Sequence, residues 1–194
     1  MSKTKPVSDI VQAYEAGQRL FAENYVQEGV EKIQGLHTLD DIVWHFIGPI
    51  QSNKTRLVAE HFDWVQTIDR LKIAQRLNDQ SSPDKKLNVC IQVNIDNDAN
   101  KAGISAEDLS DFAKAISELP NLTLRGLMTI PKANQHQEQQ SASFARMTAL
   151  FKDLKKHYPA VDTLSMGMSG DMQNAINNGS NMVRVGTAIF GERN

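Results

Sequence analysis

Short apolar runs rich in β-branched residues alternate with amphipathic helical stretches along the whole chain, and this alternation most narrows what it can fold into. Strand-like runs fall at residues 20–24, 43–47 (V-W-H-F-I, then Gly48 and Pro49), 64–68, 88–95 (N-V-C-I-Q-V-N-I), 124–130 (ended by Pro131), 163–166 and 182–185. Branched and aromatic side chains bounded by turn formers are what a pleated, buried strand requires. Between them apolar residues recur at helical spacing. The stripes are Ile10, Val11 and Tyr14; Val26, Val30 and Ile33; Leu57 and Val58; Ile73, Ala74 and Leu77; Leu109, Phe112 and Ile116; Phe144, Met147, Phe151 and Leu154; and Met172 with Ile176. Ser8, Asp69, Ser105 and Ser169 are the expected N-caps, because a short side-chain oxygen can accept from the first free N–H groups. Gly17 and Gly179 are the expected helix ends.

Strands alternating with helices imply parallel pairing through right-handed crossovers, hence an α/β fold. Seven strands fit either an open doubly wound sheet or an incomplete barrel, since closure in this class takes eight. The chain opens on a helix with almost no strand before it, so a missing strand would be the first. A length of 194 residues suits one domain, over residues 1–194. The polar stretches at 81–86 and 132–140 read as surface loops, not linkers.

Several function classes are excluded. A net charge of −2 gives no footprint for nucleic acid or an anionic membrane. The single cysteine, Cys90, rules out an internal disulfide, and its place in an apolar strand points to core packing. Five scattered histidines without H-x-x-x-H spacing suggest no metal site. No apolar run approaches the roughly 20 residues of a membrane span. The polar first ten residues do not read as a signal peptide, so a cytoplasmic protein is expected.

In a (β/α) barrel the active face is built from residues at the carboxyl ends of the strands. Those positions here hold Glu23, Asn24 and Tyr25; His45, Gln51, Ser52 and Asn53; Asn94 and Asp96; Ser169; and Arg184, Gly186 and Thr187. The strongest local signal is the pair M-G-M-S-G-D-M at 166–172 and M-V-R-V-G-T-A-I-F-G at 182–191. Glycines let backbone N–H groups approach an anion, and Ser169 and Thr187 add hydroxyl donors, so the pair reads as a phosphate cradle or as ordinary turns. Arg184, embedded in an apolar strand, needs a partner: an acidic side chain or a ligand's ring nitrogen or carboxylate. His45 is either a satisfied core histidine or a pocket residue, and Asn24 a turn or pocket residue. By residue type alone Lys3 and Lys5 are solvated charges.

Taken together, S-K-T-K-P at 2–6, F-A-E-N-Y at 21–25, W-H-F-I-G-P-I-Q-S-N-K at 44–54, R-G-L-M at 125–128, G-M-S-G-D-M at 167–172 and V-R-V-G-T-A-I-F-G at 183–191 resemble the pyridoxal phosphate homeostasis protein family. The resemblance runs from Ser2 to the end of the chain. It implies a PLP-binding (β/α) TIM-type barrel of the alanine-racemase N-terminal-domain type. It implies pyridoxal 5′-phosphate (PLP) as cofactor, held by Lys3 as a Schiff base. Asn24 and His45 would line the pocket, Ser169, Gly186 and Thr187 would hold the phosphate, and Arg184 would face the pyridine nitrogen. Lys101 is a candidate second amine near the barrel mouth. A lysine attacks an aldehyde only when deprotonated, and an arginine can only donate to a ring nitrogen. An unprotonated ring is a weak electron sink, so the resemblance implies PLP binding and vitamin B6 homeostasis without turnover, in a monomer, with PLP-dependent apo-enzymes as recipients. The competing readings are a fold-type III PLP enzyme such as an amino-acid racemase, a non-functional truncated fragment, and a phosphate-sugar barrel enzyme that would not need Lys3. The family carries a helix and a full first strand before S-K-T-K, so the chain is expected to lack that βα unit, roughly 30 residues of an eightfold barrel. Met1 stands where an apolar strand residue such as valine is usual, and a GTG codon read as a start would account for it; an in-frame stop codon directly upstream would exclude this.

Overall fold

A computed structural model describes residues 1–133 and 136–191. Seven parallel strands run β1 (Leu20–Glu23), β2 (Val43–Phe46), β3 (Trp64–Ile68), β4 (Leu87–Gln92), β5 (Leu122–Met128), β6 (Thr163–Met168) and β7 (Met182–Arg184). Among the described residues eight α-helices accompany them: α1 (Val7–Glu15), α2 (Val26–Gly35), α3 (Thr55–His61), α4 (Leu71–Gln80), α5 (Leu109–Ser117), α6 (Gln137–His157), α7 (Met172–Asn177) and α8 (Thr187–Phe190). The strands lie side by side in chain order, β1 to β7. An open doubly wound sheet needs a reversal of strand order. Sequential order instead curls the sheet into a nearly closed barrel, with β7 and β1 as the two edges.

Burial explains why the strands read as continuous apolar runs. All five residues of β3 are buried, and Val89, Cys90 and Ile91 of β4 are fully buried, because the sheet is covered on both faces. Helices seal the outside through one stripe each: α4 buries Ile73, Ala74 and Leu77, and α5 buries Leu109, Phe112 and Ile116. Cys90 packs beside Trp64 and Met128, and burial pushes its thiol up to about 12, as a core residue requires. Gly126 sits at φ +155°, and a Cβ there would fall 1.7 Å from Thr163 O. R-G-L-M therefore carries a glycine so that β5 and β6 can pair.

Four of the expected strand ends move by two residues or more. β4 covers Leu87–Gln92, shorter than 88–95: Val93 N still donates to Met128 O at 2.9 Å, but from there the chain turns to Ile104, which Val93 bridges and whose carbonyl accepts from Asn94 N at 2.9 Å. β5 starts two residues early and stops at Met128, and β6 continues to Met168. None of the expected N-caps serves as one. α1 begins at Val7 with Pro6 as N-cap, which puts Ser8 inside the helix. Proline is at home at a helix start, having no N–H to satisfy. Arg70 replaces Asp69 before α4, and Asp108 replaces Ser105 before α5. Ser105 instead closes a separate turn, accepting from Asp108 N at 3.2 Å. Asp171, not Ser169, precedes α7, and its carboxylate accepts from Met168 N at 2.5 Å. Ser169 is thereby released for other contacts. The stretch 132–140 is a loop only up to α6, which begins at Gln137; residues 134 and 135 lie outside the described residues.

Candidate functional site

The first three residues lie across the gap between β7 and β1. Ser2 N donates to Ala22 O of β1 at 3.0 Å, and the Met1 amino group donates to Val185 O, just past β7, at 2.5 Å. Lys3 is thereby set at the barrel mouth, half-buried, its Nζ 5.8 Å from the Tyr25 ring centroid. That is a cation–π distance.

A cavity of about 230 Å³ joins Lys3 and Lys5 to Ser169, Gly186 and Thr187. Ser169 Oγ accepts from Gly186 N and Ala188 N, each at 3.4 Å, and so ties the loop after β6 to the loop after β7. Both bonds are at the long end of the range. The cavity thus combines two amines from the start of the chain with two hydroxyls and backbone N–H groups from residues 169 to 187.

A second cavity, about 200 Å³, shares Met1 and Phe190 with the first and is lined inside the barrel by His45, Gln66 and Arg184. Arg184 is 4% exposed. Its Nη1 donates to Ser165 Oγ at 2.7 Å and its Nη2 to Thr129 O at 2.8 Å. No ion pair among the described residues includes it, so the expectation of an acidic partner is not met. Burial brings its guanidinium down to about 10, with the charge of Asp171 opposing.

The donor order of this network sets the histidine. Arginine only donates, so Ser165 Oγ accepts from Arg184 and gives its own proton to Gln66 Oε1 at 2.6 Å. Gln66 Nε2 then donates to His45 Nδ1 at 2.9 Å and also faces Met182 Sδ, an acceptor, at 3.2 Å. With Nδ1 accepting, the neutral ring carries its proton on Nε2; the tautomer and the amide orientation are assigned from this network. Burial drives His45 down to about 4, against Asp63, so the ring is neutral at pH 7. Its Nε2 is buried without a protein partner, and the ring stacks on Trp64 at 5.0 Å.

Of the residues singled out from the sequence, Lys3, Ser169, Gly186 and Thr187 share one cavity, and His45 and Arg184 share the adjoining one. Asn24 lines neither. It follows β1, its Oδ1 buried and unpartnered, with its backbone so close to Gly48 that a Cβ there would lie 2.1 Å from Asn24 O. Lys101 lines a separate cavity of about 220 Å³ with Thr67, Arg70 and Gln92, and its Nζ donates to Pro131 O at 3.1 Å. Gln66 and Ser165 are site residues that pattern reading passed over. The available signal was a polar residue in the middle of a fully buried strand, the same signal that singled out His45.

Residues 5–194 match the family of the alanine racemase N-terminal domain. The chain is 59% identical over 197 residues to the pyridoxal phosphate homeostasis protein of Vibrio alginolyticus, covering all of this chain and 84% of that protein. The protein of the same name from Escherichia coli K12 is 56% identical over 196 residues, with the same coverage. The chain belongs to the pyridoxal phosphate homeostasis protein family. PipY of Synechococcus elongatus, solved with PLP bound, superposes with a TM-score of 0.88 at 36% identity, over 98% of this chain and 90% of that one. Alanine racemase of Clostridium difficile, at 17% identity and a TM-score of 0.76, covers 96% of this chain and 48% of its own, and shares the fold alone. The cavity of Lys3, Ser169, Gly186 and Thr187 sits at the carboxyl ends of β6 and β7, where this architecture carries its chemistry, and the adjoining one runs along the seam from Leu20 and Met182 to Arg184.

Proposed function

We propose that the chain, as a single barrel domain over residues 1–194, binds pyridoxal 5′-phosphate covalently through Lys3 and serves PLP homeostasis. The observation that carries this reading is the convergence of Lys3 with Ser169, Gly186 and Thr187 on one cavity. An aldehyde-bearing phosphate ester calls for an amine, for anion donors a short distance away, and for a hydrogen-bond donor toward its ring acceptors. The chain offers each of these: Lys3, the Ser169 and Thr187 hydroxyls with the Gly186 N–H, and the buried donors Arg184 and His45 Nε2–H. A buried cation without a carboxylate and a buried N–H without an acceptor are costly unless a ligand meets them, so the residues fit the group.

When bound, the cofactor supplies a carbonyl carbon that reacts with amines. Lys3 holds it, Ser169 and Thr187 orient the phosphate, and Trp64 and Gln66 keep His45 neutral and fixed. Arg184 only donates and stays charged at pH 7, which leaves a ring nitrogen unprotonated and restrains carbanion chemistry. A holding role without turnover is therefore favoured, in line with the homeostasis names of the relatives. Recipients would be PLP-dependent apo-enzymes, with the chain acting as a cytoplasmic monomer. Among the described residues no helix is long and apolar enough to cross a membrane.

The test is an absorption spectrum with added PLP, then borohydride reduction and peptide mapping. A pyridoxyl mass on the peptide containing Lys3, abolished by Lys3→Ala, is expected. Absence of the mass, or its persistence in Lys3→Ala, overturns the assignment.

A further inference from the structure

Lys3 has a long, flexible side chain, so where its amine can reach depends on how firmly its backbone is held. The residues on either side of it are held by buried charges. Lys32 Nζ, on α2, donates to Ser2 O at 2.7 Å, to Glu23 Oε1 at 2.9 Å and to Glu28 Oε1 at 2.6 Å. These three bonds use all three donors of the ammonium. Ser2 Oγ donates to Glu23 Oε1 at 2.6 Å, and Thr4 N donates to Glu28 Oε1 at 2.5 Å. Thr4 adopts φ +62°, a left-handed conformation that a threonine reaches only under constraint.

The arrangement is built into two elements. Glu23 ends β1 and is fully buried, while Glu28 and Lys32 stand one turn apart on α2, with the Lys32 side chain 7% exposed. Gly29 lets α2 close on this point: a Cβ there would meet Phe62 at 2.6 Å and Glu23 Cβ at 3.2 Å. If the cluster merely fastened α2 to β1, an apolar pair would do so without the desolvation cost of buried ions. What an apolar pair cannot do is bond the backbone of residues 2 and 4.

We propose that Glu23, Glu28 and Lys32 are positioning residues that clamp Ser2 and Thr4, and so fix the backbone from which Lys3 reaches the cofactor. This rests on the assignment of Lys3 made above. None of the three touches the cofactor itself; they act through the segment that carries Lys3.

Glu28 is the most accessible member, so Glu28→Ala is the first variant and Glu28→Gln, which keeps an acceptor for Thr4 N, is its rescue. Lys32→Met, and Glu23→Gln with Lys32→Met, remove the buried charges. The rate at which PLP is trapped on Lys3 by borohydride is measured alongside hydrogen exchange of residues 2–5 in the protein without PLP, and thermal unfolding. Glu28→Ala is expected to slow trapping about tenfold and Lys32→Met up to about a hundredfold, the scale set by loss of alignment near a reacting group. Protection at residues 2–5 is lost in both, while Glu28→Gln stays within about twofold of the parent on the trapping rate. Unchanged trapping and unchanged protection in folded Glu28→Ala overturn the clamp. Should Lys32→Met fail to fold, Glu28→Ala and its rescue decide. Lys3→Ala, run in parallel, separates the two claims: if it abolishes trapping while the clamp variants do not slow it, only the clamp fails; if trapping survives Lys3→Ala, the assignment of Lys3 itself fails.

Discussion

The two sides of the barrel are built differently. On the β3–β5 side the pairing is long: β4 pairs with β5 from Leu87↔Leu122 to Gln92↔Met128, with one register shift between Val89 and Cys90, and its central residues are fully buried. On the other side β7 is three residues long, Leu20 at the start of β1 is 49% exposed, and Met1 and Ser2 span the gap with one hydrogen bond to each side. Lys3, Arg184, Gly186 and Thr187 all stand beside this seam. The barrel keeps its apolar ladder where the sheet is whole, and its buried donors and ligand cavities where the sheet is interrupted. Ligand sites tend to occupy the less stable part of a fold, since groups reserved for a ligand cannot also be spent on packing.

This contrast can be broken in three ways. The largest effect belongs to the closed side. Ile91→Ala removes a fully buried side chain of β4 and is expected to cost about 2–5 kcal/mol in urea unfolding. A loss under about 1 kcal/mol would mean that this side does not carry the stability. Next comes acid. His45 is held near pH 4 by burial, against 6.5 in an open chain, so between those values the unfolded chain binds the extra proton. Its contribution is complete above pH 6.5 and is lost as pH falls toward 4, by up to about 3 kcal/mol. His45→Gln should flatten that part of the stability profile. An unchanged slope would detach the histidine from acid sensitivity. Cys90, a neutral thiol throughout this range, adds no such slope on the closed side. The smallest effect is Leu20→Ser at the seam, expected within about 0.5 kcal/mol because the side chain is half in solvent. A larger loss would show that the seam is packed more firmly than its exposure suggests.

Much of the fold could be read from local pattern. The strand at 64–68 was read to the residue, and of the α6 stripe Phe144, Met147 and Leu154 are buried and Phe151 is half-buried. The caps failed for a common reason. A serine or aspartate near a helix start has several backbone partners within reach, and which one it takes depends on where the chain has just come from. Ser105 closes its own turn, and Ser169 bonds across to the loop after β7. Gln66 and Ser165 could be singled out as polar residues in buried strands, but not their role, which is to link His45 to Arg184 across the barrel interior, because neither residue neighbours either end in the chain.

What the sequence determined by itself is periodic and local: which runs are strands, which faces are apolar, and which motifs mark the family. Those properties follow from side-chain spacing along one dimension. The tertiary structure alone decided that the strands close in chain order, that residue 3 meets residues 169 to 187, and that Arg184 has no acidic partner. It decided these because contacts between elements, and the burial that sets their charge states, exist only once the barrel has curled and brought distant strand ends to one mouth.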